Sequence, residues 1–201
     1  MSLFEPLPFS QASENNKLPI LDVLSRHLQN QASLLEIGGG TGQHAECFAA
    51  NFPGLKWQSS DVSANLDNLN RRIVRAELTN LPPAINLDVN EVPWKCGAFD
   101  VIYSANCLHI ISTSAVECFF QGVGAHLNEK GLLLVYGPFK YSGAFTTDSN
   151  AHFDVWLKGR DPVSGVRDFE WVNQLANDVG LRLAEDNAMP ANNQLLVWHK
   201  P

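Results

Sequence analysis

The segment Glu36-Ile37-Gly38-Gly39-Gly40-Thr41-Gly42 follows a short apolar run and precedes a helical one. A turn of this kind at the carboxyl end of a strand bares main-chain N–H groups and lets a ligand approach the backbone, because no Cβ stands in the way. The residues present separate the ligand classes. A Walker phosphate loop ends its glycine turn with a Lys, and this turn has none, which disfavours nucleoside triphosphate hydrolysis. Gly40-Thr41-Gly42-Gln43-His44-Ala45 traces a dinucleotide fingerprint with Ala in the last place, so NAD stays open. Against it, Glu36 at the strand tip repels a pyrophosphate and favours a cationic ligand.

S-adenosylmethionine carries a sulfonium and an ammonium group, which suit Glu36. The acid-x-Gly-x-Gly-x-Gly pattern, formed by Glu36, Gly38, Gly40 and Gly42, resembles the first motif of class I methyltransferases. Asp61, about 20 residues past Gly42 at the end of a second strand, is placed to accept hydrogen bonds from both ribose hydroxyls, for this cofactor or for NAD. Asp88 ends a third strand. Class I methyltransferases hold the adenine amino group there with an acid and the next backbone N–H, here Val89; a loop-capping Asp is the plainer alternative. Ser104-Ala105-Asn106-Cys107-Leu108-His109-Ile110 resembles the Asn-x-x-His segment that lines the methionine end of the cofactor in many small-molecule methyltransferases. That makes Asn106 a cofactor contact and His109 a candidate general base, a satisfied structural histidine being the commoner alternative.

The elements that must position these residues are read from periodicity. Apolar spacing predicts a helix over 19–29 with Pro19 in its first turn. Strand 33–37, the glycine turn and helix 43–51 follow, then strand 55–61 and helix 65–75. A third strand spans 84–89, its following helix missing or very short; a fourth spans 99–104, and Ser114 to Glu117 opens a helix with a capping-box pattern. That helix presents Val116, Phe119, Phe120, Val123 and Leu127 to the core, Gly131 closes it, and Leu132–Tyr136 is a fully buried fifth strand. Residues 144–165 read as a polar loop, 169–179 as a helix, and 181–185 with 194–199 as a hairpin turning at 190–193. Strands alternating with helices imply a parallel sheet with right-handed crossovers, to which the hairpin adds an antiparallel strand.

The 201 residues fit one domain, 1–201, with no repeat or internal boundary. Fourteen Lys and Arg against 21 Asp and Glu give a net charge of −7, which disfavours a nucleic-acid or anionic membrane surface. No apolar run reaches the length of a membrane span. The first ten residues carry Glu5 but no basic leader, and Ser2 stands where a myristoylation signal has glycine, so the cytoplasm is the expected compartment. Cys47, Cys96, Cys107 and Cys118 lack disulfide-framework or zinc spacing and are expected as free thiols, with no metal.

Longer pieces carry a closer resemblance: Asn15-Asn16-Lys17-Leu18-Pro19-Ile20-Leu21, Trp57-Gln58-Ser59-Ser60-Asp61, Tyr136-Gly137-Pro138-Phe139, Ser149-Asn150 with Phe153-Asp154, Arg160-Asp161-Pro162, Gly165-Val166-Arg167-Asp168 and Met189-Pro190-Ala191-Asn192-Asn193. With these the chain resembles, over nearly its whole length, a methyltransferase-like family known as a domain of unknown function, whose animal members are the methyltransferase-like twenty-six proteins. The resemblance implies an α/β class I methyltransferase fold, Rossmann-like and three-layered, with seven mostly parallel strands and an antiparallel last strand. It also implies bound S-adenosylmethionine and names no substrate. Asn15 stands where the family leads us to expect Arg, which bears on an N-terminal lid, and Gly39 where relatives often carry Ser or Ala.

The expected function is therefore methyl transfer from S-adenosylmethionine to a small-molecule acceptor. Because the methyl is already activated, the protein mainly aligns the reactants and excludes water. A hydroxyl acceptor calls for a base, with His109 first and Asp154 second. Lys17, Tyr141, Asn150, Arg160, Asp161, Arg167 and Asn192 are candidates for the acceptor pocket, while a structural ion-pair network of Arg160, Asp161, Arg167 and Asp168 is the competing account. Phe153, Tyr141 and Trp156 can stack on a planar substrate, although Trp156 is expected in the core. Two other functions stay open: a non-catalytic cofactor-binding or interaction protein on the same fold, and an NAD-dependent oxidoreductase.

Overall fold

The computed structural model describes residues 6–201. Ser2 and Glu5, on which the expectation about a leader rests, lie outside them. The order of elements is α1 (Gln11–His27), β1 (Ser33–Ile37), α2 (Gln43–Asn51), β2 (Lys56–Asp61), α3 (Ser63–Ala76), β3 (Ile85–Asn86), β4 (Phe99–Ala105), α4 (Thr113–His126) and β5 (Leu127–Gly137). Then come β6 (Phe139–Tyr141), β7 (Ala144–Phe145), α5 (Asp148–Arg160), β8 (Arg167–Asp168), α6 (Phe169–Asp178), β9 (Arg182–Met189) and β10 (Asn193–His199). The fold is α/β, with a mostly parallel seven-stranded sheet in the order β3-β2-β1-β4-β5-β10-β9. Strand β10 is antiparallel to both its neighbours, so the terminal hairpin closes the sheet as the sequence implied. Strands β7-β6-β8 form a separate small sheet that periodicity did not reveal.

Two compact units make up the chain, one ending at Leu87 and the other running Asp88–Pro201. In the first, β1 pairs with β2 and β2 with β3, all parallel. Its interior is built from Ile20 and Leu24 of α1, Leu34 and Leu35 of β1, Phe48 of α2, Trp57 of β2 and Leu69 of α3, all inaccessible to solvent. The polar residues Asn16 and His44 join this interior as a pair: His44 Nε2 donates to Asn16 Oδ1 (2.7 Å), and the imidazole stacks on Phe48 with centroids 5.1 Å apart. In the second unit Tyr103, Phe119, Val123, Leu133, Leu134 and Leu195 to Trp198 are solvent-inaccessible. Phe119 and Trp198 are thus core residues. Cys47, Cys96, Cys107 and Cys118 are outside any disulfide among the described residues and are partly buried. Among the described residues no helix is long and apolar enough to cross a membrane.

Several boundaries differ from the expectations, each for a local reason. Helix α1 starts at Gln11, not near Pro19, because Ser10 Oγ accepts from Ser13 N and caps it; Pro19 lies inside the helix, without a donor for that turn. Ser112, not Ser114, caps α4, accepting from Ala115 N. Gly131 does not close that helix, which ends at His126, but lies in β5, where a Cβ would stand 2.7 Å from Asn128 O and 2.9 Å from Asp100 O. The register between β4 and β5 shifts at that point, and Leu132 is only half-buried. Strand β3 shrinks to two residues.

The largest correction concerns 144–165, which contains helix α5. Its polar opening is a cap, Thr147 Oγ1 accepting from Asn150 N, with Asp148 in the first turn and Lys158 and Arg160 in the last, all favourable to the helix dipole. Its buried face is mostly polar, Asn150 and Asp154 beside Leu157, so no apolar period marks it. Trp156 stays out of the core at 53% exposure.

No helix stands between β3 and β4, as expected, and in the second unit Trp94 fills part of that stretch. The indole stacks on His126 (centroids 5.5 Å apart, 13° between planes) and lies against Gly122 of α4. A Cβ on Gly122 would fall 2.1 Å from Trp94 Cε2 and Cζ2. Gly122→Ala is therefore expected to lower Tm in thermal unfolding by roughly 3–8 °C, because overpacking outweighs the better helix propensity of Ala. An unchanged or higher Tm contradicts this packing.

Burial lowers the His44 pKa to about 4. An unfolded histidine protonates near pH 6.5, so between about 6.5 and 4 only the unfolded state takes up the proton. The contribution to stability is complete above pH 6.5 and is lost as pH falls toward 4, by up to about 3 kcal/mol. Denaturant unfolding at pH 7.5, 6 and 5 should show this loss, and His44→Gln, which keeps a donor for Asn16, should show a shallower one. Equal slopes in the two proteins refute the assignment.

Candidate functional site

In the first unit the glycine turn continues the β1–β2 pairing beyond the last strand residue. Gly38 N and Gly39 N both donate to Ser60 O (3.0 Å each), and Gly40 N donates to Asp61 Oδ2 (2.7 Å). Gly38, Gly40 and Gly42 take φ of 76°, 55° and 75°, the left-handed region that disfavours other residues. In front of Gly40 the space is open: a Cβ there would meet nothing nearer than Gly38 O at 4.0 Å. Gly39 is the opposite case, a Cβ lying 3.0 Å from Leu69 Cδ2, so Ser or Ala at this position requires Leu69 to give way.

Asp61 is 7% exposed, at the end of β2, and its orientation is fixed from three sides. Besides Gly40 N on Oδ2, Oδ1 accepts from Val62 N (2.8 Å) and Asn65 Nδ2 (2.9 Å). Glu36 lies beneath the turn, 2% exposed, with Oε2 accepting from Trp57 Nε1 (3.0 Å) and Ser59 Oγ. Burial raises its pKa, against the pull of those two donors. The structure thus brings Glu36, Gly38, Gly40, Gly42 and Asp61 together, with Glu36 a buried brace for β2.

The outer side of this turn is held by residues the sequence did not single out. Arg72 of α3 donates through Nε to Thr41 O (2.6 Å), through Nη1 to Glu46 (2.7 Å) and through Nη2 to Pro8 O (2.8 Å). Gln43 Oε1 accepts from Thr41 Oγ1 (3.0 Å) and Ser10 N (2.6 Å), and Gln43 Nε2 donates to Glu14 Oε2 (3.0 Å). Lys17 reaches this network through its ion pair with Glu14 (2.5 Å), which keeps the Glu14 carboxyl below its ordinary range. Gln43 stood inside the motif that suggested the site; Arg72 carried no signal, since its role arises only when α3 lies along the turn.

In the second unit His109, Asp154 and Arg167 converge on one stretch of chain. Gly165 N donates to His109 O (2.9 Å), Val166 N to Asp154 Oδ1 (2.8 Å), and Arg167 Nε to Leu108 O (3.0 Å). Arg167 Nη2 also donates to Ile111 O and to Val163 O (2.8 Å). Asp154 Oδ2 accepts from Lys158 (2.6 Å), so both its oxygens are committed to holding the chain. His109 is 5% exposed, edge-on to Phe153 (5.5 Å), and its pKa is lowered to about 4 by burial and by the charge of Arg167.

The remaining candidates have their own attachments. Asn106, at φ 55°, donates its N–H to Tyr136 O (2.9 Å). Asp88 Oδ1 accepts from Asn90 N (2.9 Å) and Asn90 Nδ2 (2.8 Å), capping its own turn, and Val89 is buried. Asn150, buried, donates to Asn192 O (2.9 Å) and Thr146 Oγ1 (2.9 Å). Tyr141 donates to Asp186 Oδ2 (2.7 Å) and stacks on Phe169; burial and the carboxylates around it raise its pKa. Arg160 lies over the Trp156 ring (4.8 Å), and Asp161 Oδ1 accepts from Val163 N (3.1 Å). Arg160, Asp161, Arg167 and Asp168 do not act as an ion-pair network: Arg167 bonds carbonyls, and Asp168 accepts from Gly143 N (2.7 Å).

Among solved structures, an O-methyltransferase family protein from Burkholderia thailandensis superposes with a TM-score of 0.80 at 18% identity, covering 94% of this chain and 57% of that one. Human N-acetylserotonin methyltransferase, solved with S-adenosylmethionine, superposes with a TM-score of 0.75 at 15% identity over 94% of this chain and 53% of that one. At these identities the likeness establishes the fold. The chain spans little more than half the length of these proteins. Among curated proteins, the non-reducing polyketide synthase trt4 of Aspergillus terreus is 25% identical over 174 residues, 76% of this chain but only 7% of the synthase. The glycine turn, the Asp61 carboxylate beside it and the sheet order thus lie in a sequence matched over residues 7–200 by one family model, and the chain belongs to that family, described as a protein of unknown function, DUF938.

Proposed function

We propose that the chain binds S-adenosylmethionine and transfers its methyl group to a small-molecule acceptor. The observation that carries this reading is the bond from Gly40 N to Asp61 Oδ2, which sets a carboxylate beside an open stretch of glycine backbone at the end of β2. This arrangement fits the cofactor's adenosine end. With Val62 N and Asn65 Nδ2 on Oδ1 and Gly40 N on Oδ2 fixing its direction, Asp61 keeps one lone pair, on Oδ2, for a ribose hydroxyl, and the open face of Gly40 admits the ligand. On the same reading Asp88 and Val89 take the adenine amino group and Asn106 the methionine end. Likeness to the animal methyltransferase-like twenty-six proteins belongs to this proposal too.

When bound, S-adenosylmethionine supplies a methyl group already activated at sulfonium. The chain's part is binding, orientation and exclusion of water. His109, with its pKa lowered to about 4, is neutral at pH 7 and holds a ring lone pair that can take a proton from a hydroxyl acceptor, though as a weak base. Asp154 does not share that task on this reading, because Lys158 and Val166 N occupy its oxygens. The weak base favours acceptors whose nucleophile ionises readily by itself. The net charge of −7 supports a small-molecule acceptor over nucleic acid, and the four free thiols suit the cytoplasm.

Calorimetric titration with S-adenosylmethionine, S-adenosylhomocysteine and NAD tests the proposal. The first two should bind in the micromolar range and NAD should not. Asp61→Ala should weaken binding about 10- to 100-fold, the loss of a hydrogen bond to a charged group. Asp61→Asn, measured with its Tm, separates that loss from any loosening of the turn. Binding of NAD alone replaces this reading with the oxidoreductase one. Cofactor binding without methyl transfer across a broad acceptor screen favours the binding-protein alternative.

A further inference from the structure

The chain that enters α1 crosses the glycine turn, and its attachments converge on Thr41. Arg72 links Thr41 O (2.6 Å) to Pro8 O (2.8 Å) through one guanidinium. Gln43 Oε1 links Thr41 Oγ1 (3.0 Å) to Ser10 N (2.6 Å). Pro8 and Ser10 are therefore each one side chain away from Thr41, and Phe9 stands between them. Farther along, Glu14 is held by Gln43 Nε2 (3.0 Å), and Asn16 by His44 (2.7 Å). This stretch is fastened to α3 at Pro8 and to the start of α2 at Ser10, Glu14 and Asn16.

Phe9 is the large apolar side chain of this stretch, between the half-buried Pro8 and Ser10. It is 61% exposed, although the main chain on both sides is bonded in place. A large apolar side chain exposed between two residues tied to Thr41 gains by covering a ligand on the adjoining glycine backbone. The neighbour of Thr41 is Gly40, whose front is open.

We propose that residues 8–14 form a strap across the glycine turn and that Phe9 covers the part of S-adenosylmethionine lying on Gly40 and Thr41, making Phe9 an affinity-determining residue. This rests on the cofactor reading above. The strap contributes by contact and by excluding water, and because Gln43 and Arg72 already fasten it to Thr41, ligand binding and the stability of the strap are coupled.

Calorimetry with S-adenosylhomocysteine and hydrogen exchange test it on the full chain. Phe9→Ser should bind roughly tenfold more weakly, while its ligand-free Tm stays within about a degree of wild type, since an exposed side chain adds little to the fold. Phe9→Tyr should restore the affinity. In wild type the amides of residues 9–14 should exchange more slowly once S-adenosylhomocysteine is present. If wild type binds but Phe9→Ser binds equally well, or if the exchange of 9–14 ignores the ligand, the strap proposal falls and the cofactor reading stands. Should wild type bind neither S-adenosylmethionine nor its demethylated product, the cofactor reading falls and takes the strap with it.

Discussion

The glycine turn depends on being hydrogen-bonded to the end of β2. Ser60 O receives two successive turn amides, and the Asp61 carboxylate receives the next, so the main chain after β1 follows its neighbouring strand beyond the point where regular pairing stops. This fixes three things at once: the left-handed glycines, the direction in which α2 departs, and the position of the one carboxylate that borders the open face of Gly40. A free turn would sample many geometries. Here the donors that would otherwise need water are already used, and the open face of Gly40 is what is left over.

Glu36 supports the same joint from below. Its carboxyl is almost inaccessible and takes bonds from Trp57 and Ser59, two residues of β2, while its own carbonyl accepts from Ser60 Oγ (2.7 Å). Direct Coulomb attraction of a cationic ligand is a property of a surface carboxylate, and Glu36 is 2% exposed. In the folded chain desolvation dominates, and the acid works as a hydrogen-bond acceptor that locks two strands. Sequence pattern marks such a residue by type and spacing, whereas its burial and its bonds to β2 emerge only in the fold.

The same distinction explains what was legible. β1, the glycine turn and α2 could be read to the residue because an apolar run, glycines and a helical period follow one another within twenty positions. The hairpin of β9 and β10 was legible from alternation around Pro190. Helix α5 was not, since Asn150 and Asp154 occupy its inner face and the cap Thr147 looks like a loop residue. Gly131 looked like a helix stop, but close approach to two carbonyl oxygens, a fact of tertiary packing, is what requires glycine there. Among site residues, those in the turn could be identified by type and spacing. Arg72 could not, because the three oxygens it binds, on Thr41, Glu46 and Pro8, lie 31, 26 and 64 residues away from it.

In the second unit two charged side chains are buried without being paired to each other. Arg167 donates to the carbonyls of Leu108, Ile111 and Val163, and Asp154 accepts from Val166 N while Lys158 stands at its solvent side. Arg167 is satisfied by main chain and Asp154 by one main-chain N–H and Lys158, which is stabilising only if the segments they join stay in register. The chain on either side of His109 is therefore held by a cation, and that cation adds to the burial that keeps the imidazole neutral. On the methyl-transfer function proposed above, His109 trades basicity for fixed geometry. That trade suits a reaction in which orientation contributes more than proton transfer, because a weak base in a fixed place still accepts a proton from a nucleophile that ionises readily.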